Sequence, residues 1–223
     1  IIEVNRKQNE AKLDQYSASN GKHLATLNTE TDEKYVEPQH PISFLPWDSS
    51  KFLMWSQKDG YWHLYLMNTK GKLIKQLTKG PFVVMEIMGY CVDTKSVIIR
   101  TNELSPLQSN FFSVNIRSGK RVLLDNGVGV HRGKLSEDGS RLLDSYTTPD
   151  VPRAYNIIEV KTKKTTEYFR SKNPWEEYAV PHYRQGSLKA ADGKTDLYYR
   201  MVLPPDFEET KKYPTVRSEE HTS

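Results

Sequence analysis

The sequence contains a single cysteine, Cys91, among 223 residues. One thiol excludes any internal disulfide, so the compartment of the protein cannot be inferred from its cysteines. Because Cys91 follows Gly89 and Tyr90 in a strand-like run, we expect it to be a small buried apolar residue.

Long hydrophobic runs are also missing, since none approaches the roughly 20 residues that a membrane-spanning helix needs. There is no initiator methionine and no signal peptide, and Ile1 already lies in a strand-like run. We therefore interpret the chain as a fragment whose targeting information lies upstream.

A large excess of charge of one sign is absent, because the chain has 32 basic and 28 acidic residues and both signs are interspersed along it. The sequence shows no basic stripe of the kind that predicts a nucleic-acid partner. With 36% hydrophobic residues, thirteen tyrosines and four tryptophans, the composition argues against disorder. This composition suits a fold of many small packed sheets with polar loops.

Metal ligands and a nucleophile are missing from the sequence patterns as well. The histidines before the last ten residues show no metal-ligand spacing: His23, His40, His63, His131 and His182. His63 alternates with apolar neighbours and is predicted to be a packed strand residue. No Gly-x-Ser-x-Gly sequence occurs, so no serine is presented as a nucleophile. We predict neither a metal nor a cofactor.

A unit of strand-length runs recurs along the chain, and residues 46–78 are its clearest copy. Asp48, Asp93 and Asp138 each precede the first apolar residue of a strand by four positions, and they lie 45 residues apart. A period of about 40 to 50 residues with four short strands is typical of a β-propeller blade. The sequence therefore predicts an all-β partial propeller, with a partial blade at 1–30 and complete blades at 40–78, 84–124 and 131–169.

Turns separate the strands of each unit. Gly-Lys or Lys-Lys ends the second turn in every copy, at 19–22, 69–72, 117–120 and 161–164. Residues 136–140 contain Asp138-Gly139, a dipeptide that readily adopts the two positive φ angles of a type I′ turn. We expect a two-residue hairpin turn there.

The repeat ends after Phe169. Asn173 as a cap and Pro174 at the first helical position predict a short helix over 173–178. A hairpin outside the period follows, with strands at 185–189 and 195–203. Residues 217–223 look like the translation of a sequencing adapter, so we expect a non-native tail there.

Several stretches resemble the prolyl oligopeptidase-type serine peptidases, and the dipeptidyl peptidase IV group most closely. They are residues 58–65, 73–80, 198–207 and 211–214. In that family the last two mark the passage from an N-terminal propeller to a C-terminal α/β-hydrolase domain. The resemblance thus implies propeller blades at 1–170, and at 171–216 a linker with the first strands of a truncated α/β-hydrolase domain.

The resemblance also implies a function. It points to the substrate-gating part of a serine exopeptidase that releases dipeptides of the X-Pro or X-Ala type from peptide amino termini. Such a protein has peptide substrates, a hydrolase domain in cis and no nucleic-acid partner. It would allow a homodimer and, in a bacterium, a periplasmic or secreted location. The 223 residues lack the catalytic serine elbow and are expected to be inactive alone. The alternative is a non-catalytic propeller that binds proteins, in which only the scaffold is shared.

Residues 31–41, the longest connection between units, are the candidate substrate-facing loop. In the dipeptidyl peptidase IV group this loop carries an arginine and an aromatic residue near the substrate. The matched region has no arginine, and Tyr35, Glu37 and His40 are its candidate substrate-facing residues. Glu176-Glu177 suggest a glutamate pair for a free amino terminus, but the resemblance places that pair upstream of Ile1. We therefore predict a structural role for them at a helix start.

Overall fold

The computed structural model describes residues 1–218 and divides the chain into two compact units, Ile1–Ser171 and a second that begins at Lys172. Within residues 1–218 every regular element is a β-strand and no helix occurs. The predicted all-β fold is therefore confirmed.

The first unit consists of four antiparallel sheets that follow one another along the chain. The partial blade contains β1 (Ile2–Val4), β2 (Glu10–Tyr16) and β3 (His23–Thr31). The first complete blade contains β4 (Ser43–Leu45), β5 (Asp48–Ser56), β6 (His63–Asn68) and β7 (Leu73–Gln76). The second contains β8 (Val84–Cys91), β9 (Ser96–Thr101), β10 (Asn110–Asn115) and β11 (Arg121–Leu123). The third contains β12 (Val130–Leu135), β13 (Arg141–Thr147), β14 (Ala154–Glu159) and β15 (Thr165–Arg170). All four sheets lie where the repeat predicted them.

The second complete blade is buried on both of its faces. Val97 and Ile99 of β9 pack in one cluster with Leu53 of the preceding blade. Ile98, which points to the opposite face, packs with Leu142 of the following blade. Because successive side chains of a strand alternate between faces, a strand between two blades has no polar face. Burial of each such side chain contributes about 1.5–3 kcal/mol.

His63 confirms the expectation of a packed strand residue, since its side chain is fully buried. Its Nε2 donates to the Gly80 carbonyl oxygen at 3.0 Å, and its Nδ1 lies 3.0 Å from the Thr78 hydroxyl. The Thr78 oxygen in turn accepts a hydrogen bond from the Leu64 amide. A neutral ring with the proton on Nε2 satisfies all of these partners. The predicted burial of Cys91 is also confirmed.

The turn between β12 and β13 is not the predicted two-residue type I′ turn. The Gly139 amide donates to Ser136 O at 2.9 Å, and the Ser136 amide donates to Arg141 O at 2.8 Å, which leaves a four-residue loop. Gly139 alone in this loop has a positive φ, +70°, whereas type I′ needs two. The Asp138 carboxylate holds the wider loop by accepting hydrogen bonds from the Ser136 hydroxyl and from the amide and hydroxyl of Ser140. These bonds lower the pKa of Asp138 to about 2.

Residues 173–178 form turns, so the predicted short helix is wrong. Asn173 does cap the segment, because its Oδ1 accepts a hydrogen bond from the Trp175 amide at 3.0 Å. The Tyr178 amide then bonds to Trp175 O, three residues back, which is a turn and not a helical bond. A helix nucleus is costly, and six residues are too few to propagate it. Glu176 and Glu177 are exposed on this turn.

The second unit contains the predicted hairpin, formed by β16 (His182–Lys189) and β17 (Asp196–Leu203). The Asp192 carboxylate orders its turn by accepting hydrogen bonds from the amides of Lys194 and Thr195. That this unit leads into a hydrolase domain stays a prediction. Of the predicted non-native tail, residues 219–223 lie outside the described residues.

Candidate functional site

The first unit has two ends that carry different loops. The end that we call the connection end holds the links between blades, the β1–β2 loop of the partial blade and the loops between the second and third strands of the complete blades. These are residues 5–9, 32–42, 57–62, 77–83, 102–109, 124–129 and 148–153. The other, which we call the turn end, holds residues 17–22, 46–47, 69–72, 92–95, 116–120, 136–140 and 160–164. Alternate connections of an antiparallel meander lie at opposite ends, so this division follows from the strand order.

The link 32–42 is fastened to a neighbouring loop at the connection end. The Asp32 amide donates to Asn9 O at 3.1 Å, and the Val36 amide donates to Gln8 O at 2.6 Å. The Asp32 carboxylate also accepts a hydrogen bond from the Lys34 amide at 2.8 Å. Backbone bonds at two points fix the course of the link over the partial blade, so its middle presents side chains at a defined place.

His40 is anchored on tryptophans of the first complete blade. Its ring stacks on Trp55 with 4.4 Å between centroids and 26° between planes, and it meets Trp62 edge-on at 6.3 Å. Trp55 belongs to β5 and Trp62 to the loop that follows it. The half-buried His40 thus fixes the far end of the link, and no sequence pattern indicated this aromatic cluster.

Tyr35 and Glu37 lie between these anchors and project into solvent. Tyr35 is 58% exposed. Glu37 is exposed and takes part in none of the ion pairs among residues 1–218. No hydrogen bond or ring contact in the described part of the chain joins two of the three candidate residues. The structure therefore places Tyr35, Glu37 and His40 on one link but not in one cluster.

A second loop of the connection end is held by a salt bridge that the sequence analysis did not identify. Arg121 binds the Glu103 carboxylate through Nε at 3.0 Å and Nη2 at 2.5 Å. The guanidinium also lies 5.2 Å above the ring of Phe82. Forked pairing of this kind fixes geometry as well as charge. The loop 102–109 is therefore tied to β11 and to the link 77–83.

His131 is the centre of a buried charged cluster at the same end. Its Nδ1 lies 2.8 Å from Asp144 Oδ1, and its Nε2 lies 3.0 Å from Val128 O. Asp125 Oδ2 is 3.8 Å from Nδ1, and the side chains of both carboxylates are almost fully buried. Both ring nitrogens thus face acceptors, which only a doubly protonated ring satisfies. The ring also stacks on Tyr146 at 5.0 Å.

The charge of His131 reflects two opposing effects. Burial disfavours the charged ring, but the hydrogen bond to Asp144 and the charges of Asp125 and Asp144 outweigh it and raise the pKa of His131. The ring is inaccessible to a substrate, so we assign it to the support of the link 124–129. Sequence patterns gave no signal for it, because its carboxylate partners Asp125 and Asp144 lie 6 and 13 residues away in separate elements.

Other features of residues 1–218 add no site. An apolar cleft of about 730 Å³ lies between the partial blade and the first complete blade, lined by Leu13, Leu27 and Phe52 among others, and none of the three candidate residues lines it. No group of three or more acidic, histidine or cysteine side chains in this range could hold a metal ion. None of the described residues forms a helix that could span a bilayer.

Comparison with known proteins gives a consistent family. The family model of the dipeptidyl peptidase IV (DPP IV) N-terminal region matches residues 1–153. A probable dipeptidyl peptidase 4 of Aspergillus flavus is 26% identical over 186 residues, which are 81% of this chain and 24% of that protein. A probable dipeptidyl-aminopeptidase B of Arthroderma gypseum is 25% identical over 234 residues, which are 97% of this chain and 25% of that protein.

Two solved structures share the architecture. A putative dipeptidyl aminopeptidase IV from Bacteroides ovatus superposes with a TM-score of 0.86 and 41% identity, over 96% of this chain and 33% of that one. Porphyromonas gingivalis dipeptidyl peptidase 4 gives a TM-score of 0.82 at 20% identity, over 96% and 30%, which shows the fold alone. The chain thus spans a quarter to a third of the length of these relatives.

Proposed function

Because the chain belongs to the family of dipeptidyl peptidase IV N-terminal regions, we propose that it is the substrate-gating propeller portion of a serine exopeptidase. The enzyme would release dipeptides with proline or alanine as the second residue from peptide amino termini. The match over residues 1–153 carries the proposal, and the 41% identity to the Bacteroides ovatus protein supports it. A hydrolase domain in cis, beginning within residues 171–216, would supply the nucleophile.

The gating role rests on the fixed loops of the connection end. A peptide that reaches the nucleophile must pass loops that are held by backbone bonds, by the Arg121–Glu103 pair and by the stack of His40 on Trp55. Loops on a rigid scaffold select substrates by size and by the position of the chain end. The propeller would thereby admit free, flexible peptide termini and exclude folded proteins.

Within this role, Tyr35, Glu37 and His40 are proposed to face the substrate. The exposed, unpaired carboxylate of Glu37 can accept charge-assisted hydrogen bonds from a free amino terminus. The ring of Tyr35 offers an apolar surface to a side chain next to that terminus. His40 would contact the substrate with the edge of its ring while its face stays on Trp55.

The gene beyond the codon for Val216 provides the decisive experiment. The proposal expects an open reading frame that reaches a Gly-x-Ser-x-Gly elbow, followed by codons for the aspartate and histidine of the triad. A stop codon at that place in the native gene would contradict it. The non-catalytic binding propeller would then be the better description.

Glu37→Gln, made in the protein with its complete reading frame, is expected to lower kcat/KM for a Gly-Pro chromogenic substrate about tenfold, mainly through KM. The reason is the loss of a charged acceptor for the substrate ammonium group. The effect should shrink above pH 8, where an α-amino group with a pKa of about 7.7–8.0 becomes neutral. Steady-state kinetics at pH 7 and pH 9 measure the loss of kcat/KM and its dependence on pH.

Glu137→Gln is the matched control, because Glu137 is an exposed glutamate at the turn end. It should leave kcat/KM unchanged at both pH values. An equal loss in both variants, or none in Glu37→Gln, would remove Glu37 from the substrate-facing residues.

A further inference from the structure

The turns between the last two strands of each of the four sheets carry a one-signed charge. Residues 17–22, 69–72, 116–120 and 160–164 contain eight basic residues and no acidic one. The basic residues are Lys22, Lys70, Lys72, Arg117, Lys120, Lys161, Lys163 and Lys164. All eight are exposed, and none takes part in the ion pairs found among residues 1–218. We call these four turns the basic row.

The basic row repeats a geometry and not only a composition. The residue before the last lysine of each turn has a left-handed backbone, with φ of 70° at Gly21, 80° at Gly71, 75° at Gly119 and 62° at Lys163. Each sheet therefore presents a lysine at the same point of the same turn. Those lysines are Lys22, Lys72, Lys120 and Lys164.

Neighbouring turns of the basic row follow one another at the spacing of the blades. The Gly71 turn lies against the backbone of Leu27 in the preceding sheet. The Arg117 carbonyl of the next turn accepts a hydrogen bond from Lys75 Nζ at 3.2 Å, again in the preceding sheet. Packed sheets lie about 10 Å apart, so the row extends over roughly 30 Å at the turn end.

The opposite end of the unit does not share this charge. The loops of the connection end hold six basic and seven acidic residues, whereas all the loops of the turn end hold nine basic and three acidic ones. The loops of the first unit therefore carry a dipolar charge distribution, with the positive side at the turn end. An asymmetry of this size directs one end of a protein toward an anionic partner.

We propose that the basic row docks the protein on an anionic lipid surface. Clusters of four to eight exposed lysines and arginines suit such a surface, where each charge adds about fivefold in affinity. Seven of the eight residues are lysines, flexible point charges that need no defined anion geometry. The four turns contain no Phe, Tyr or Trp, so they lack the stacking platforms of a nucleic-acid groove. Docking would leave the connection end facing away from the lipid, and it does not depend on the proposed peptidase activity.

Vesicle sedimentation of the 223-residue chain tests the proposal. The chain should bind phosphatidylcholine vesicles that contain phosphatidylglycerol, should not bind pure phosphatidylcholine, and should be released by about 0.5 M salt. Replacing four lysines of the row by glutamine should weaken binding by about a hundredfold or more. The substitutions are Lys22→Gln, Lys72→Gln, Lys120→Gln and Lys164→Gln.

A control variant of equal net charge separates the row from overall charge. Four exposed basic residues of the connection end, which likewise form no ion pair among residues 1–218, are changed: Arg6→Gln, Lys7→Gln, Lys34→Gln and Lys79→Gln. This variant should keep vesicle affinity within about threefold. Both variants should melt like the unaltered chain in circular dichroism, since only exposed side chains change.

Three results would overturn the proposal. The first is equal loss in the two variants, which would make binding a net-charge effect. The second is the absence of binding to phosphatidylglycerol vesicles at low salt. The third is tighter binding to a short DNA duplex than to the vesicles under the same conditions, which would assign the row to nucleic acid.

Discussion

Gly139→Ala is expected to lower the free energy of unfolding by roughly 3–4 kcal/mol, through backbone strain and overpacking together. Gly139 has a φ of +70°, which a residue with a Cβ adopts at a cost. A Cβ there would also overlap Tyr90 O and lie 2.8 Å from Cys91 Cα, both in the backbone of the preceding blade. Because β8 is paired with β9, that backbone cannot withdraw without breaking sheet hydrogen bonds.

Gly21→Ala separates the two effects, because Gly21 has the same φ of +70° and no atom within 4 Å of its added Cβ. It should cost only about 1 kcal/mol. Denaturant unfolding of the two variants measures the difference. Equal costs would mean that the contact with Tyr90 is relieved by a small shift. Residues 17–22 and 136–140 both lie at the turn end, so neither variant should alter the kcat/KM of the proposed peptidase.

The comparison of these two glycines separates features of the fold that the local sequence specifies from features that depend on distant residues. Hairpin turns follow from local chemistry, so Asp138-Gly139 correctly predicted a left-handed residue. The contact with Tyr90 joins residues 49 positions apart in the sequence, and no sequence pattern near either residue indicates it. The blades were predictable for a related reason, because a period of 45 residues repeats a local pattern.

The predicted helix at 173–178 is wrong because capping residues alone do not form a helix when the segment is too short to propagate one. The Asn173 side chain accepts the same local hydrogen bond in a turn as it would at a helix N-terminus, so a capping residue does not distinguish a turn from a helix. Local signals therefore predicted the bonds correctly and the element wrongly.

The candidate site was predictable only in part. The family resemblance pointed to the link with Tyr35, Glu37 and His40, and that these residues face a substrate stays a prediction. Its anchoring was not predictable, since the stack of His40 on Trp55 crosses from the link to β5. The buried pair of His131 and Asp144 was not predictable for the same reason, because only the pairing of β12 with β13 brings the two residues together. Side-chain contacts between elements depend on register, which a single sequence specifies weakly.

The free energy of unfolding is expected to decrease as the pH rises above about 6.5, in part because of His131. The pKa of His131 is raised in the folded protein, whereas in the unfolded chain it is about 6.5. The stabilisation is therefore fully present below pH 6.5, and it is lost as the pH rises through the folded pKa. The charged groups that face the ring are the carboxylates of Asp125 and Asp144, and the Val128 carbonyl and the rings of Tyr146 and Phe111 complete its surroundings.

His131→Leu should reduce stability at pH 6 by about 3–5 kcal/mol, the usual cost of leaving a buried charge without its partner. The variant keeps Asp144 buried but removes the cation that binds it at 2.8 Å. Asp125 retains hydrogen bonds from the amides of Phe111 and Gly127, so the loss should fall mainly on Asp144. The difference between the unaltered chain and the variant should narrow as the pH rises through the folded pKa of His131, because the unaltered ring then loses its charge as well.

His63→Leu is the matched control for this experiment. His63 is as fully buried as His131, but its partners are a hydroxyl and a carbonyl oxygen, with no carboxylate among them. Its replacement removes neutral hydrogen bonds and should cost about 1–3 kcal/mol. If both replacements cost the same at pH 6, and the cost of His131→Leu does not change with pH, then His131 is neutral in the folded protein. The larger and pH-dependent cost at His131 would instead identify a buried ion pair as the support of the link 124–129, and with it of the third blade at the connection end.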